Sequence, residues 1–124
     1  MKLFQGINVV SLSVPDLDAA REFYGQVLGL GAPLYDMPEI GWVEFSGGAA
    51  AGNIAVTTNE PAQPPSTRTT VVFNTRDCYE SCAELRRRGV QCEEPVAVPG
   101  VITYCTFYDP FGNRLQMCSD PPED

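Results

Sequence analysis

The chain of 124 residues contains no histidine. That absence excludes a histidine-based transition-metal site and a histidine acting as general acid or base. Positive charge is also scarce: 8 basic residues stand against 16 acidic ones, for a formal net charge of −8. Such a surface repels phosphate backbones, so no nucleic-acid partner is expected. It suits a cationic ligand, although solubility alone accounts for an acidic surface. No stretch approaches the run of about 18 apolar residues that spans a bilayer, and no membrane partner is expected. The start, "MKLFQGINVVSLSVPD", has one Lys and a short apolar run broken by Asn and Ser. It lacks the apolar core and small-residue cleavage site of an export signal, so a cytoplasmic location is expected.

The five cysteines, Cys78, Cys82, Cys92, Cys105 and Cys118, form no C-x-x-C pair. Their odd number and the missing export signal favour free thiols. Cys78 and Cys82 stand four apart on a predicted helix, on the face that carries Leu85. Core packing is therefore expected for both in preference to a metal or redox role.

What the sequence does contain is a unit written twice. In residues 7–14, Val10, Leu12 and Val14 alternate with Ser11 and Ser13, the pattern of a half-buried strand. Pro15-Asp16 ends it, and Asp16 is a good helix N-cap. Leu17, Ala20, Tyr24, Val27 and Leu28 then follow helical spacing up to Gly29. "GWVEF" (41–45) and "NIAVTT" (53–58) read as strands. "NEPAQPPSTR" (59–68) holds three Pro and reads as an extended linker. The pattern then restarts: a strand over 69–75, a helix capped by Asp77 and closed at Gly89, a strand over 101–109, the turn "DPFGN", and a last strand over 114–118. Displacing one copy by 61 residues puts Asp16 on Asp77, Val14 on Thr75 and Tyr24 on Leu85. The second strand of each copy is weakly marked, at 33–38 and 93–98.

The expected fold class is α+β, in one domain of two βαβββ modules. Module one covers about 3–58, the linker 59–68, module two about 69–119, and an acidic tail 120–124. A four-stranded sheet with a helix on one face leaves its other face uncovered. Two such curved mixed sheets can surround a ligand cavity.

The segments "VPDLDAAREFYGQVLGL", "RDCYESCAELRRRGV" and "FYDPFGNRLQM" resemble the vicinal oxygen chelate superfamily, the group of glyoxalase I, bleomycin-resistance proteins and extradiol dioxygenases. The likeness spans nearly the whole chain. It implies the paired-module fold and a homodimer, in which the modules can pair within one chain or be swapped between two. Enzymes of that family hold a divalent metal with four His or Glu side chains. Counting from the matched motifs, those positions fall on Val9, Ala55, Thr70 and Gln116. None is a His or a carboxylate, so no metal, no cofactor and no catalytic residue are assigned.

Strand parity then sorts the side chains. With Val9 on the uncovered face, Ser11 and Ser13 join it. Trp42 and Glu44 follow from the third strand, Thr70, Val72 and Asn74 from the fifth, and Tyr104, Thr106 and Tyr108 from the seventh. Phe45 and Phe107 should pack on the helices instead. With Ala55 and Gln116, these thirteen residues are the candidate ligand-binding set. Glu44 is the one carboxylate among them, able to pair a cationic ligand or act as a base; its alternatives are simple exposure or an ion pair with Arg114. The expected function is metal-independent binding of a small molecule, sequestering an aromatic or cationic natural product such as an antibiotic. The alternative is an enzyme of the superfamily, a lyase, isomerase or dioxygenase, that works without a histidine-based metal site.

Overall fold

The structure, a computed structural model, describes residues 3, 7–48, 52–58 and 70–122. The chain divides into two compact units, residues 1–64 and 65–124. The expected linker, 59–68, lies outside the described residues.

In the first unit β1 (Val9–Ser13), α1 (Leu17–Arg21), β2 (Tyr35–Met37), β3 (Trp42–Phe45) and β4 (Asn53–Thr57) follow in order. The sheet runs β1-β4-β3-β2, with β1 and β4 parallel and the other pairs antiparallel. Asp16 caps α1 as its carboxylate accepts from the amides of Asp18 and Ala19, at 2.9 and 3.2 Å. The helix does not continue in α geometry as the spacing predicts. Over Glu22–Val27 it widens to a π-helix, and the Leu28 amide donates to the Phe23 carbonyl five residues back. Adjacent residues splay apart on an α-helix, yet Phe23 and Tyr24 are both buried here. The wider turn admits both rings, which meet edge to face at 5.1 Å. Gly41, at φ 68°, closes a short 3₁₀ turn over Pro38–Ile40, so β3 begins one residue later than "GWVEF" suggests.

Leu12, Val43, Phe45, Ile54 and Val56 are buried with Ala20. Register places Val43 and Leu12 on either side of Val56, and the Phe45 ring lies 6.4 Å from that of Tyr24. Each such side chain contributes about 1.5–3 kcal/mol by leaving water. Asp36, opposite Val43 on the same face, receives the Arg21 guanidinium at 2.8 and 2.9 Å, which ties the edge strand to the helix.

The second unit repeats this with β5 (Val71–Asn74), α2 (Cys78–Arg87), β6 (Val96–Val98), β7 (Ile102–Tyr108) and β8 (Arg114–Ser119), in sheet order β5-β8-β7-β6. Asp77 caps α2 through the amides of Tyr79 and Glu80. β7 alternates strictly: Thr103, Cys105 and Phe107 are buried, whereas Ile102, Tyr104, Thr106 and Tyr108 are half-buried. The Phe107 ring packs 6.3 Å from Phe73. In the β7–β8 turn, the buried Asp109 carboxylate accepts from the amides of Phe111 and Asn113 and from the Asn113 side chain, at 2.8–3.0 Å.

The cysteines are free thiols. Cys78 and Cys82 are buried on α2, and Cys105 is buried on β7. Cys78 donates to the Thr103 carbonyl, and Cys82 and Cys105 both donate to that of Glu93. Burial, then the neighbouring Cys82 thiol, pushes the pKa of Cys92 up to about 11 and of Cys105 up to about 12. Cys78, Cys82 and Cys105 fill the core, whereas Cys92 and Cys118 are half-buried.

Register makes the duplication visible. The pair Ser11–Ala55 recurs 61 residues on as Val72–Gln116. The pair Glu44–Ala55 recurs as Thr106–Gln116, so the third strand of the second unit is displaced by one residue more. Among the described residues no helix is long and apolar enough to cross a membrane.

Candidate functional site

Each sheet has one face toward its helix and one face away from it. In the first unit the away face follows from the register. One row runs Ser11, Ala55, Glu44, Tyr35; the next runs Ser13, Thr57, Trp42, Met37; Val9 and Asn53 begin a third. The expected Val9, Ser11, Ser13, Trp42, Glu44 and Ala55 therefore share this face. Tyr35, Met37, Asn53 and Thr57 belong to it as well, although the sequence reading did not include them. Asn53 and Thr57 follow from Ala55 by simple alternation along β4. Tyr35 and Met37 sit on a three-residue strand whose register only the pairing with β3 reveals.

Glu44 is the chemical centre of this face. It is 8% exposed, which rules out simple exposure. The Trp42 indole N–H donates to Glu44 Oε1 at 3.0 Å, and the Asn53 amide donates to Oε2 at 2.7 Å. Two hydrogen bonds offset part of the cost of burying the carboxylate, and both donors are neutral. Residues i and i+2 of a strand share a face, so the β3 backbone itself sets Trp42 beside Glu44. Ala55, which separates Glu44 from Ser11, ends at its methyl and leaves the carboxylate flanked by the smallest side chain of the row.

In the second unit the rows are Asn74, Cys118, Tyr104, Val96; then Val72, Gln116, Thr106. Beyond β5 the Arg114 guanidinium donates to the Thr70 hydroxyl at 3.2 and 2.8 Å, with Tyr108 opposite Arg114. All seven expected residues of this unit thus lie on the away face of its sheet, and Arg114 and Cys118 share that face with them. Gln116 donates to Thr106 at 3.0 Å. The Tyr108 hydroxyl is already engaged: it donates to Glu93, and that bond, with some burial, raises its pKa. Val72 is half exposed. A cavity of about 390 Å³ opens at one end of this sheet, lined by Asn74, Ile102, Cys118 and Ser119 together with Arg76 and Asp120.

The four residues to which the resemblance assigns metal-ligand positions do not fit a divalent ion. Val9 and Ala55 offer no lone pair. The Thr70 hydroxyl accepts from a guanidinium, whose charge would oppose a cation there. Gln116 supplies one amide oxygen, a ligand for hard cations only in a fuller oxygen set. Among the described residues no group of three or more Cys, Asp or Glu is arranged to hold a metal.

Comparison with known proteins agrees with this architecture. TnmS3, an antibiotic binding protein from Streptomyces sp. CB03234, is 25% identical with a TM-score of 0.82, over 98% of this chain and 100% of its own. A glyoxalase/bleomycin resistance protein from the same strain is 26% identical with a TM-score of 0.74, over 90% and 98%. A superfamily member from Sphaerobacter thermophilus DSM 20745 shares the fold at 22% identity and a TM-score of 0.77, over 94% and 98%. No curated protein matches the sequence. The profile of one family covers residues 6–117, nearly the entire chain. The chain is therefore a member of the Glyoxalase/Bleomycin resistance protein/Dioxygenase superfamily.

Proposed function

We propose that the protein binds a small molecule without a metal and holds it unaltered in the cytoplasm, the ligand being an aromatic or cationic natural product such as an antibiotic. One observation carries this reading. The superfamily fold is intact, but the four positions to which the family resemblance assigns metal ligands hold Val9, Ala55, Thr70 and Gln116, with the Arg114 guanidinium bonded at the third. What remains on the helix-free faces is binding chemistry: Trp42, Tyr35 and Tyr104 offer aromatic surface, and Asn53, Thr106 and Gln116 offer neutral polar groups. The antibiotic-binding activity of TnmS3, a structural relative, supports the same direction. The alternative enzyme reading needs a group free to move a proton. The hydrogen-bond partners of Glu44 are the Trp42 indole and the Asn53 amide, neither of which exchanges a proton near neutral pH, and the Tyr108 proton is committed to Glu93.

A thermal-shift screen against aromatic natural products and divalent metals tests the proposal. Stabilisation by one or more of the organic compounds and by none of the metals is expected. Stabilisation by Zn, Ni, Fe or Mn alone would overturn it. We also propose a homodimer, because β2 and β6 are edge strands with one neighbour each and exposed strand edges favour pairing. Sedimentation at micromolar concentration should give twice the chain mass; a monomer would contradict the dimer and leave the binding proposal standing.

A further inference from the structure

We infer that the ligand carries a protonated amine, and that Glu44 with the Trp42 ring beside it is the subsite that reads this charge. The inference rests on the binding function proposed above and names the ligand class.

Glu44 is more than nine-tenths buried, yet its partners are the neutral Trp42 indole and Asn53 amide. The ion pairs that the described residues form go to Asp18, Asp36, Glu80, Glu84 and Glu94 instead. A buried carboxylate held by neutral donors is a negative charge awaiting a counter-charge. A carboxylate offers about four lone-pair directions, and the two bonds leave half of them open to a further donor. The first bond also fixes the indole edge against the carboxylate, so one ammonium can reach both Oε1 and the ring face, where the indole quadrupole attracts cations. On the flank of Glu44 toward Ser11 the row carries only the Ala55 methyl, and Ser11 beyond it is exposed. The overall charge of −8 draws cations to the protein and repels anionic analogues. A neutral ligand would gain at most a hydrogen bond from Glu44 and no charge pairing, and an anionic one would be repelled.

The test uses matched probes: daunorubicin, dansylcadaverine and a 9-(aminoalkyl)acridine, each beside its N-acetyl derivative, which keeps the aromatic part and removes the positive charge. Calorimetric titration of the wild-type protein should find, for at least one pair, the amine bound about tenfold or more tighter than the amide. Quenching of Trp42, the single tryptophan, should accompany the amine. In Glu44→Gln the two members of that pair should bind within about twofold of each other. Equal binding of amine and amide to the wild type would overturn the inference while leaving small-molecule binding intact. An amine advantage that survives Glu44→Gln, or that occurs without a change in Trp42 emission, would also overturn it. If neither member of any pair binds, the binding function fails along with it. Should Glu44→Gln not fold, the wild-type pairs and the Trp42 signal decide the question alone.

Discussion

Phe107 and Trp42 lie on opposite faces of equivalent strands, and their replacement should have opposite consequences. Phe107 is 2% exposed and packs on Phe73. Phe107→Ala should cost about 3–5 kcal/mol in a denaturant melt and leave the affinity of the folded fraction intact. Trp42 is half-buried, so Trp42→Ala empties less of the core. It does remove the indole donor from Glu44, and a bond to a buried carboxylate is worth about 1.5–3 kcal/mol. Its larger effect should fall on binding, with a loss of about 1–3 kcal/mol read by calorimetry. A silent Phe107→Ala beside an unfolded Trp42→Ala would invert the assignment of faces. The thiols make a second prediction. Cys92 and Cys105 titrate near 11 and 12 in the folded protein, against 9.0 ordinarily. A thiol whose pKa is raised by folding stabilises the native state below its ordinary value, and that contribution is lost as pH rises. Stability should therefore be level up to about pH 9 and decline between about pH 9 and 12. Chemical melts across that range check it, and Cys105→Val should flatten the decline. A profile rising through that window would contradict the assignment.

At the scale of elements, both helices begin at an Asp that accepts from two backbone amides. Asp16→Ala and Asp77→Ala should each cost about 0.5–2 kcal/mol, measured by thermal or urea unfolding, with Asn in either place recovering most of it. The sequence makes these caps legible because Pro15-Asp16 and Arg76-Asp77 each directly precede a helical apolar pattern. β7 is legible for a similar reason: Thr103, Cys105 and Phe107 alternate with Tyr104 and Thr106, and a period of two is a strong signal. The π-helical turn is not legible, because Leu17, Ala20, Tyr24 and Val27 satisfy an α-helical stripe. Only the packing of Phe23 and Tyr24 together reveals that one turn must widen. β2 is hidden for a different cause. Three residues cannot establish a period, and Tyr35 owes its face to its pairing with Glu44. The same limit conceals the Glu44 partners: alternation places Glu44 and Asn53 on one face, but the bond between them crosses strands nine residues apart in sequence.

For the molecule as a whole, duplication is the organising fact. A capped helix laid on a four-stranded sheet occurs twice, and each copy leaves one face without a helix. At the positions to which the resemblance assigns metal ligands, all on those faces, this chain carries apolar, hydroxyl and amide groups. The missing histidine was the most informative feature of the composition because it bears on those positions directly. Binding without metal is tested most directly by titrating Trp42 fluorescence with aromatic natural products before and after exhaustive chelation, with metal content measured in parallel. A saturable quench of the same affinity in both states, in protein holding well under about one equivalent of Zn, Ni, Fe or Mn per chain, is the predicted result. A stoichiometric metal whose removal abolishes the quench, and whose return restores it, would contradict the proposed function.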